Sequence, residues 1–171
     1  LDDLCNQYLQ QTHPDNELPE AKSIDSSAVE PYSIQLILST AQRMFMDEAA
    51  TRNLQLRCCD SSVMIHTTPM VLMRLYTNLL SNAVKHTTRG RILLGVRRHK
   101  NSISLQIHDS GPGMSAQKLA DVMQAYHKGA DSQGSGLGLA ICRQLATEHG
   151  LGFEISSRQG HGTVCCITVP L

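Results

Sequence analysis

The chain has no surplus charge of either sign: 15 basic and 15 acidic side chains leave a formal net charge of zero. No field strong enough to recruit nucleic acid or an anionic membrane is expected, so partners have to be found by local sites. Long apolar runs are missing too. None approaches the roughly 18 consecutive apolar residues needed to cross a bilayer. No charged-then-apolar leader opens the chain, which reads as a soluble piece without membrane contact. Six cysteines occur, at 5, 58, 59, 142, 165 and 166, but none in C-x-x-C spacing. Their apolar neighbours predict buried thiols in a reducing compartment rather than a disulfide frame or a zinc site. Internal repeats and low-complexity tracts are absent. What remains is a chain of 171 residues, 41% apolar, enough for one well-buried domain of about 100–150 residues with a short appendage. A start at Leu1 rather than methionine suggests a portion of a larger protein.

Leu1, Leu4 and Tyr8 fall at helical spacing, and the Pro, Asp and Ser of "THPDNELPEAKSIDSSAVEP" then read as a linker. From 35 to 50 a helical stripe runs through Leu36, Ile37, Ala41, Met44, Phe45 and Ala49. The strand-like runs "LQLRCC" and "SVMIH" follow, then a second long helix over about 69 to 87. "RILLGVRR" and "ISLQIHD" form one strand pair, "LGFEISS" and "TVCCITV" another. Between them lies an amphipathic helix, 137 to 149, with Leu137, Ile141, Leu145 and Ala146 on its apolar side. Helices alternating with antiparallel strand pairs predict a two-layer α/β sandwich, one sheet with helices on one face.

Three places carry chemistry. In "ISLQIHDSGPG", Ile103, Leu105 and Ile107 alternate with polar residues, and period two puts Asp109 on the isoleucine face. An inward carboxylate must meet donors: either amides of its own turn or a ligand. The following "GPGMSA" formally matches a dinucleotide fingerprint. However, Pro112 removes an amide and no βαβ repeat follows. In "GSGLGLAICRQLATEHG", Gly134, Gly136 and Gly138 open a helix. That is either a flexible hinge or a place where free amides and the helix dipole attract phosphate. No Lys-Ser or Lys-Thr follows, so it is not a Walker loop. In "RLYTNLLSNAVKHTT", Asn78, Asn82, Lys85 and His86 crowd one side of a helix beside an apolar side of Leu72, Leu75, Leu79 and Ala83. Asparagine is a poor helix-interior residue, so these amides are either satisfied by neighbouring backbone or hold a ligand, Mg²⁺ being a suitable one.

Taken in order, "NLLSNAVKHT", "DSGPG", "GSGLGLAI" and "GHGT" resemble the N box and glycine boxes of the ATP-binding catalytic domain of sensor histidine kinases. That family shares a superfamily with gyrase-type ATPases and heat-shock chaperones. The resemblance covers about residues 31 to 171. It makes residues 1–13 the tail of a dimerisation helix and residues 14–30 a linker. The implied fold is a Bergerat-type α+β two-layer sandwich with a mixed, mainly antiparallel sheet. By the same resemblance Asp109 accepts from the adenine amino group, Gly111 and Gly113 let the chain turn past the purine, and Met114 and His86 lie against the nucleotide. Asn82 would ligate Mg²⁺, with Asn78 and Lys85 at the phosphates or their water shell. Gly134, Ser135, Gly136, Leu137, Gly138 and Leu139 would embrace the phosphates, and Thr163 would sit near the adenine and Asp109. Lys128 stands where an arginine is common, Met123 and Tyr126 replace a phenylalanine pair, and Thr67 or Thr68 stands for an aspartate.

The hydrolysing branches of the superfamily carry glutamate four residues before the metal-binding asparagine, where this chain has Asn78. An amide cannot take a proton. Transfer to an imidazole needs mainly positioning and charge neutralisation, which Asn78, Lys85 and Lys128 with Mg²⁺ would supply. The resemblance therefore implies a kinase using ATP and Mg²⁺. Its partners would be its own dimerisation and phospho-acceptor domain and a downstream response regulator receiver domain, in a cytoplasmic setting. The full protein would be free or anchored in the inner membrane. None of the eight histidines sits in a helix with an acid directly after it: His13 precedes Pro14, and His149 follows Glu148. The acceptor is thus expected on a dimerisation domain absent from this sequence, so that the fragment would phosphorylate a supplied acceptor domain only in trans. A nucleotide-binding or partner-binding module without transfer activity is the alternative.

Overall fold

The computed structural model describes residues 30–124 and 137–171. The expected tail and almost all of the expected linker lie outside them, as do Cys5 and His13. The described elements are β1 (Tyr32–Ser33), α1 (Ile34–Thr51), β2 (Leu54–Cys58), β3 (Met64–Ile65), α2 (Pro69–His86) and β4 (Gly90–Arg98). They continue with β5 (Ser102–Asp109), α3 (Ala116–Gln124), α4 (Leu137–Glu148), β6 (Gly152–Arg158) and β7 (Gly162–Pro170).

Local chemistry sets the helix ends. Ser33 caps α1, its hydroxyl accepting from Gln35 N at 3.3 Å. The helix stops at Arg52, and Asn53 then turns the chain with φ 55, a left-handed conformation that asparagine tolerates better than most residues. Pro69 occupies the first turn of α2, where its missing N–H costs nothing, and Lys85 and His86 lie in the last turn, at the negative end of the helix dipole.

Five strands form one sheet in the order β2-β4-β5-β7-β6, with β2 and β4 parallel and every other pair antiparallel. This is the mixed, mainly antiparallel sheet expected. Leu54, Ile92, Leu94, Ile103, Leu105, Ile107, Ile167 and Val169 line its inner face. They form one core with Ile34, Ile37, Leu38 and Ala41 of α1, seven residues of α2 from Leu72 to Val84, and Cys142 and Ala146 of α4. Tyr76, fully buried, donates its hydroxyl to the Gln106 carbonyl at 3.2 Å and so pins α2 to the central strands.

The structure revises several local expectations. In α1 the buried stripe is Ile34, Ile37, Leu38, Ala41 and Ala49, whereas Leu36 and Met44 are exposed. At about 100° per residue, Leu36 falls roughly half a turn from the stripe's centre and Met44 on its flank. In α4 Ile141 is exposed and Cys142 takes the core position, one residue round the same helix. "SVMIH" is not a strand of the main sheet: only Met64 and Ile65 are extended, and they pair with Tyr32 and Ser33 in a separate two-stranded sheet. The five described cysteines are free thiols. Cys142 is buried and Cys58, Cys165 and Cys166 are half-buried, but Cys59, just past the end of β2, is exposed rather than buried as its neighbours suggested.

The sheet is closed at one end by two glycines. Gly113 (φ 62) and Gly162 (φ 91) hold conformations that L side chains rarely adopt. A Cβ at Gly113 would run into the Arg158 carbonyl, and one at Gly162 into the carbonyl of Asp109. Gly162→Ala is therefore expected to lower the unfolding free energy by about 2–3 kcal/mol. Urea denaturation checks this, and an unchanged midpoint would contradict the strain assigned to the position.

Candidate functional site

One row of residues crosses the inner face where the strands end: Ile92, Asp109, Thr163 and Ser157, each in register with the next. Asp109 closes β5, and its Oδ1 accepts from Gly111 N at 2.8 Å and from Thr163 N at 3.2 Å. Both readings of the inward acid therefore meet in one side chain. One oxygen closes its own turn and ties it to β7, while Oδ2 is left without a protein donor among the described residues. Burial raises the carboxyl above its usual pKa; the two amides, with His86 and His108, pull it back down.

Ser157 completes the row. Its hydroxyl accepts from Met114 N at 2.8 Å, lies 3.1 Å from the Gly162 carbonyl and 2.9 Å from Thr163 Oγ1. The turn after Asp109 is thus stitched to both β6 and β7.

Above this row is a cavity of about 160 Å³. Asp109 and Thr163 form its polar floor, with Ile107, Ile155 and Cys165 as apolar floor. Burial pushes the Cys165 thiol up to about 12, so it is an apolar contact rather than a nucleophile. From α2 come Leu79, Asn82, Ala83 and His86; Pro112, Gly113 and Met114 form one rim; Lys118 and Val122 of α3 and Leu139 of α4 close the sides. Asn82 and His86 are the polar groups of the helical wall, and the Asn82 Nδ2 is buried with no hydrogen-bond partner among the described residues. A Cβ on Gly138 would stand 3.6 Å from that nitrogen, so the first turn of α4 faces the Asn82 amide. An orphaned buried amide is costly unless something else meets it.

The structure brings Asp109, Gly113, Met114, Asn82, His86, Leu139 and Thr163 together around this cavity, with Gly111 behind the floor and Gly138 behind Asn82. Two predicted residues stand apart from the described lining. The Asn78 side chain, one turn before Asn82, lies beside the Cys142 thiol of α4. Lys85 is exposed, and its carbonyl receives Arg52 at 3.5 Å. Leu137 opens α4. Lys128, Gly134, Ser135, Gly136 and Tyr126 lie outside the described residues.

Sequence reasoning missed Ser157, Lys118 and Thr87. Ser157 was legible, since period two in β6 puts it on the inner face with Phe153 and Ile155. Lys118 follows a turn whose direction no local pattern reveals. Thr87 is fully buried just past α2, its hydroxyl without a partner among the described residues and close behind Gly111; nothing in its neighbours marks it as buried.

Chemically, a carboxylate with one free oxygen beneath flat apolar walls suits a heteroaromatic ring bearing an amino donor. The unpaired amide facing a helix start suits an oxyanion or a cation that accompanies one. Comparison with known proteins agrees with this chemistry. Residues 67–171 match the family model described as histidine kinase-, DNA gyrase B-, and HSP90-like ATPase. The sensor histidine kinase RcsC of Escherichia coli K12 is 32% identical over 117 residues, 66% of this chain and 12% of that protein. The sensor histidine kinase YvrG of Bacillus subtilis 168 is 37% identical over 99 residues, 55% of this chain and 17% of its own. The chain thus spans less than a fifth of the length of these relatives. Among solved structures, full-length ShkA in complex with AMPPNP superposes with a TM-score of 0.71 at 22% identity, covering 84% of this chain and 31% of that one. The catalytic domain of the histidine kinase ThkA superposes at 0.69 with 17% identity, covering 82% of this chain and 94% of that domain. At such identities the likeness establishes the fold.

Ser157→Ala would strand Met114 N and free Thr163 Oγ1. A loss of about 1–3 kcal/mol in unfolding free energy is expected. Amide exchange at Met114 should quicken with it; unaltered exchange there would mean the hydroxyl does not hold the turn.

Proposed function

The chain belongs to the histidine kinase-, DNA gyrase B- and HSP90-like ATPase family, and from that premise we propose that its cavity binds ATP for transfer of the γ-phosphoryl group to a histidine on a separate dimerisation domain. The observation that carries the reading is the pairing, across one cavity, of the free Asp109 Oδ2 with the unpartnered Asn82 amide. Asp109 accepts the adenine amino group, Thr163 stands beside it, and Leu79, Ile107, Ile155 and Leu139 sandwich the ring. A cavity of about 160 Å³ is smaller than the roughly 300 Å³ at which whole-ligand sites begin. The base fills it, and the phosphates extend past Asn82 and Gly138 toward the start of α4.

The residues present fit Mg²⁺. Among the described residues the Asn82 nitrogen has no partner to lose, and a carboxamide can turn its oxygen to the same place, a hard neutral ligand for a hydrated cation. When bound, Mg²⁺ neutralises phosphate oxygens. His86 and Lys118 add positive charge or hydrogen bonds at the rim, and Lys85 and Lys128 complete the cationic surround in this reading. Asn78 cannot act as a base, because a side-chain amide does not take up a proton. Water is therefore not activated, and positioning of an incoming imidazole is favoured. Cytoplasmic placement, a dimerisation domain and a receiver domain as partners belong to the same proposal. The positions of Asn78 and Lys85, off the described lining, favour a second reading in which the domain binds nucleotide without transferring it.

Labelled ATP, Mg²⁺ and a supplied cognate dimerisation domain distinguish the two. Label is expected on the supplied histidine and not on this chain; saturable nucleotide binding with no label would establish the second reading. The floor is tested by Asp109→Asn, which turns an acceptor into a donor facing a donor. ATP affinity is expected to fall about tenfold or more, and unchanged affinity would refute the adenine contact. Acid should mimic this loss. Protonation removes the acceptor, and because burial raises the Asp109 pKa, affinity should decline while the pH is still above the ordinary carboxylate range. The sign for folding is opposite. The unfolded carboxyl ionises first, so Asp109's own contribution to stability falls as pH rises from the ordinary to the raised pKa. Nucleotide titrations across that window, with Asp109→Asn lacking the step, check it.

A further inference from the structure

The outer face of the sheet carries a second cleft, of about 400 Å³, that the nucleotide reading leaves unused. Arg57 of β2, Arg91 of β4, His108 of β5 and His161 in the β6–β7 turn converge on it, with Ser110 at its edge. The register explains why. Arg57 lies opposite Leu93, which lies opposite His108, and Arg91 is two residues earlier on the same outward face. Neither arginine has a counter-ion: among the described residues the ion pair within 4.0 Å is Arg52–Glu48, and Arg57 reaches only the neutral Gln55 Oε1 at 3.4 Å. Asp109 also borders the cleft, but its carboxylate is committed inward to the Gly111 and Thr163 amides.

The net charge of zero conceals an opposite surplus elsewhere in the chain. Residues 1–30 hold seven acids against the single Lys22, whereas residues 31–171 hold fourteen lysines and arginines against eight acids. Five of the seven acids, Asp15, Glu17, Glu20, Asp25 and Glu30, fall between 15 and 30. Reach is ample. The 18 residues from Asp15 to Tyr32 can extend to about 60 Å, whereas five strands at about 4.8 Å spacing span roughly 20–25 Å.

We propose that the acidic stretch 15–30 docks on the Arg57–Arg91–His108–His161 cleft of its own domain, as an electrostatic latch on the outer face of the sheet. The fit is one of charge rather than apolar area, so screening by salt releases it. The latch is independent of nucleotide.

Nuclear magnetic resonance of the whole 171-residue chain, without nucleotide, tests it. The probes are the Nε–H signals of Arg57 and Arg91 and the backbone amides of His108, Ser110 and His161. Neutralising the stretch with Asp15→Asn, Glu17→Gln, Glu20→Gln, Asp25→Asn and Glu30→Gln should shift these signals. High salt should move the native chain's signals toward the same positions. In a chain carrying Arg57→Gln and Arg91→Gln, the remaining probes should no longer respond to the neutralisation. Probes that stay put on neutralisation, or shifts that map to a different basic surface, would overturn the proposal. Shifts that vary with protein concentration would assign the contact to a second copy and overturn the intrachain latch.

Discussion

A single carboxylate oxygen, Asp109 Oδ1, holds together the two parts on which the site is built. It accepts one amide from its own turn and another from a strand 54 positions further along the chain. Because both bonds fall on the same oxygen, the side chain is fixed in rotation and the other oxygen is presented in a set direction. A surface aspartate would do none of this. Partial burial makes the two amides matter, since a carboxylate withdrawn from water depends on such donors. The glycines at 113 and 162 follow from the same constraint, for the backbone carbonyls beside them approach too closely for any side chain.

Much of this arrangement was legible before any coordinates. Strict alternation in "ISLQIHD" fixed which way Asp109 points, because a period of two leaves only one inner face. The glycines after it and before α4 marked turns, and the spacing of Asn82 and His86 put both on one side of α2. The errors have equally physical causes. Helical spacing alone admits Leu36, Met44 and Ile141 to the apolar stripes, each displaced in angle from the buried sector, and gives the small Cys142 no mark as a core residue. Neighbour hydrophobicity suggested that Cys59 is buried, yet it follows the last residue of an edge strand, where the sheet no longer covers it. The placement of Lys118, and the contact of Asn78 with Cys142, depend on how α3 and α4 pack, which no local pattern encodes.

The two faces of the sheet divide the molecule's chemistry. The inner face is apolar until its last row, where a few polar groups are gathered around a small cavity. The outer face keeps arginines and histidines in water at little cost, because exposed cations need no partner. Asp109 stands at the boundary, its backbone in the ladder and its carboxylate turned inward, so that the one residue borders both cavities.

The strand order carries one more implication. β7, the last element described, is not an edge but lies between β5 and β6. During synthesis both of its neighbours must wait with open hydrogen-bonding edges, and the acid at the end of β5 has only its own turn for company. Insertion of one strand then closes both edges at once and supplies Thr163 to Asp109. The polar floor of the cavity is thus completed only when β7 arrives, and a ribosome-bound intermediate short of β7 would be exposed to edge-to-edge association.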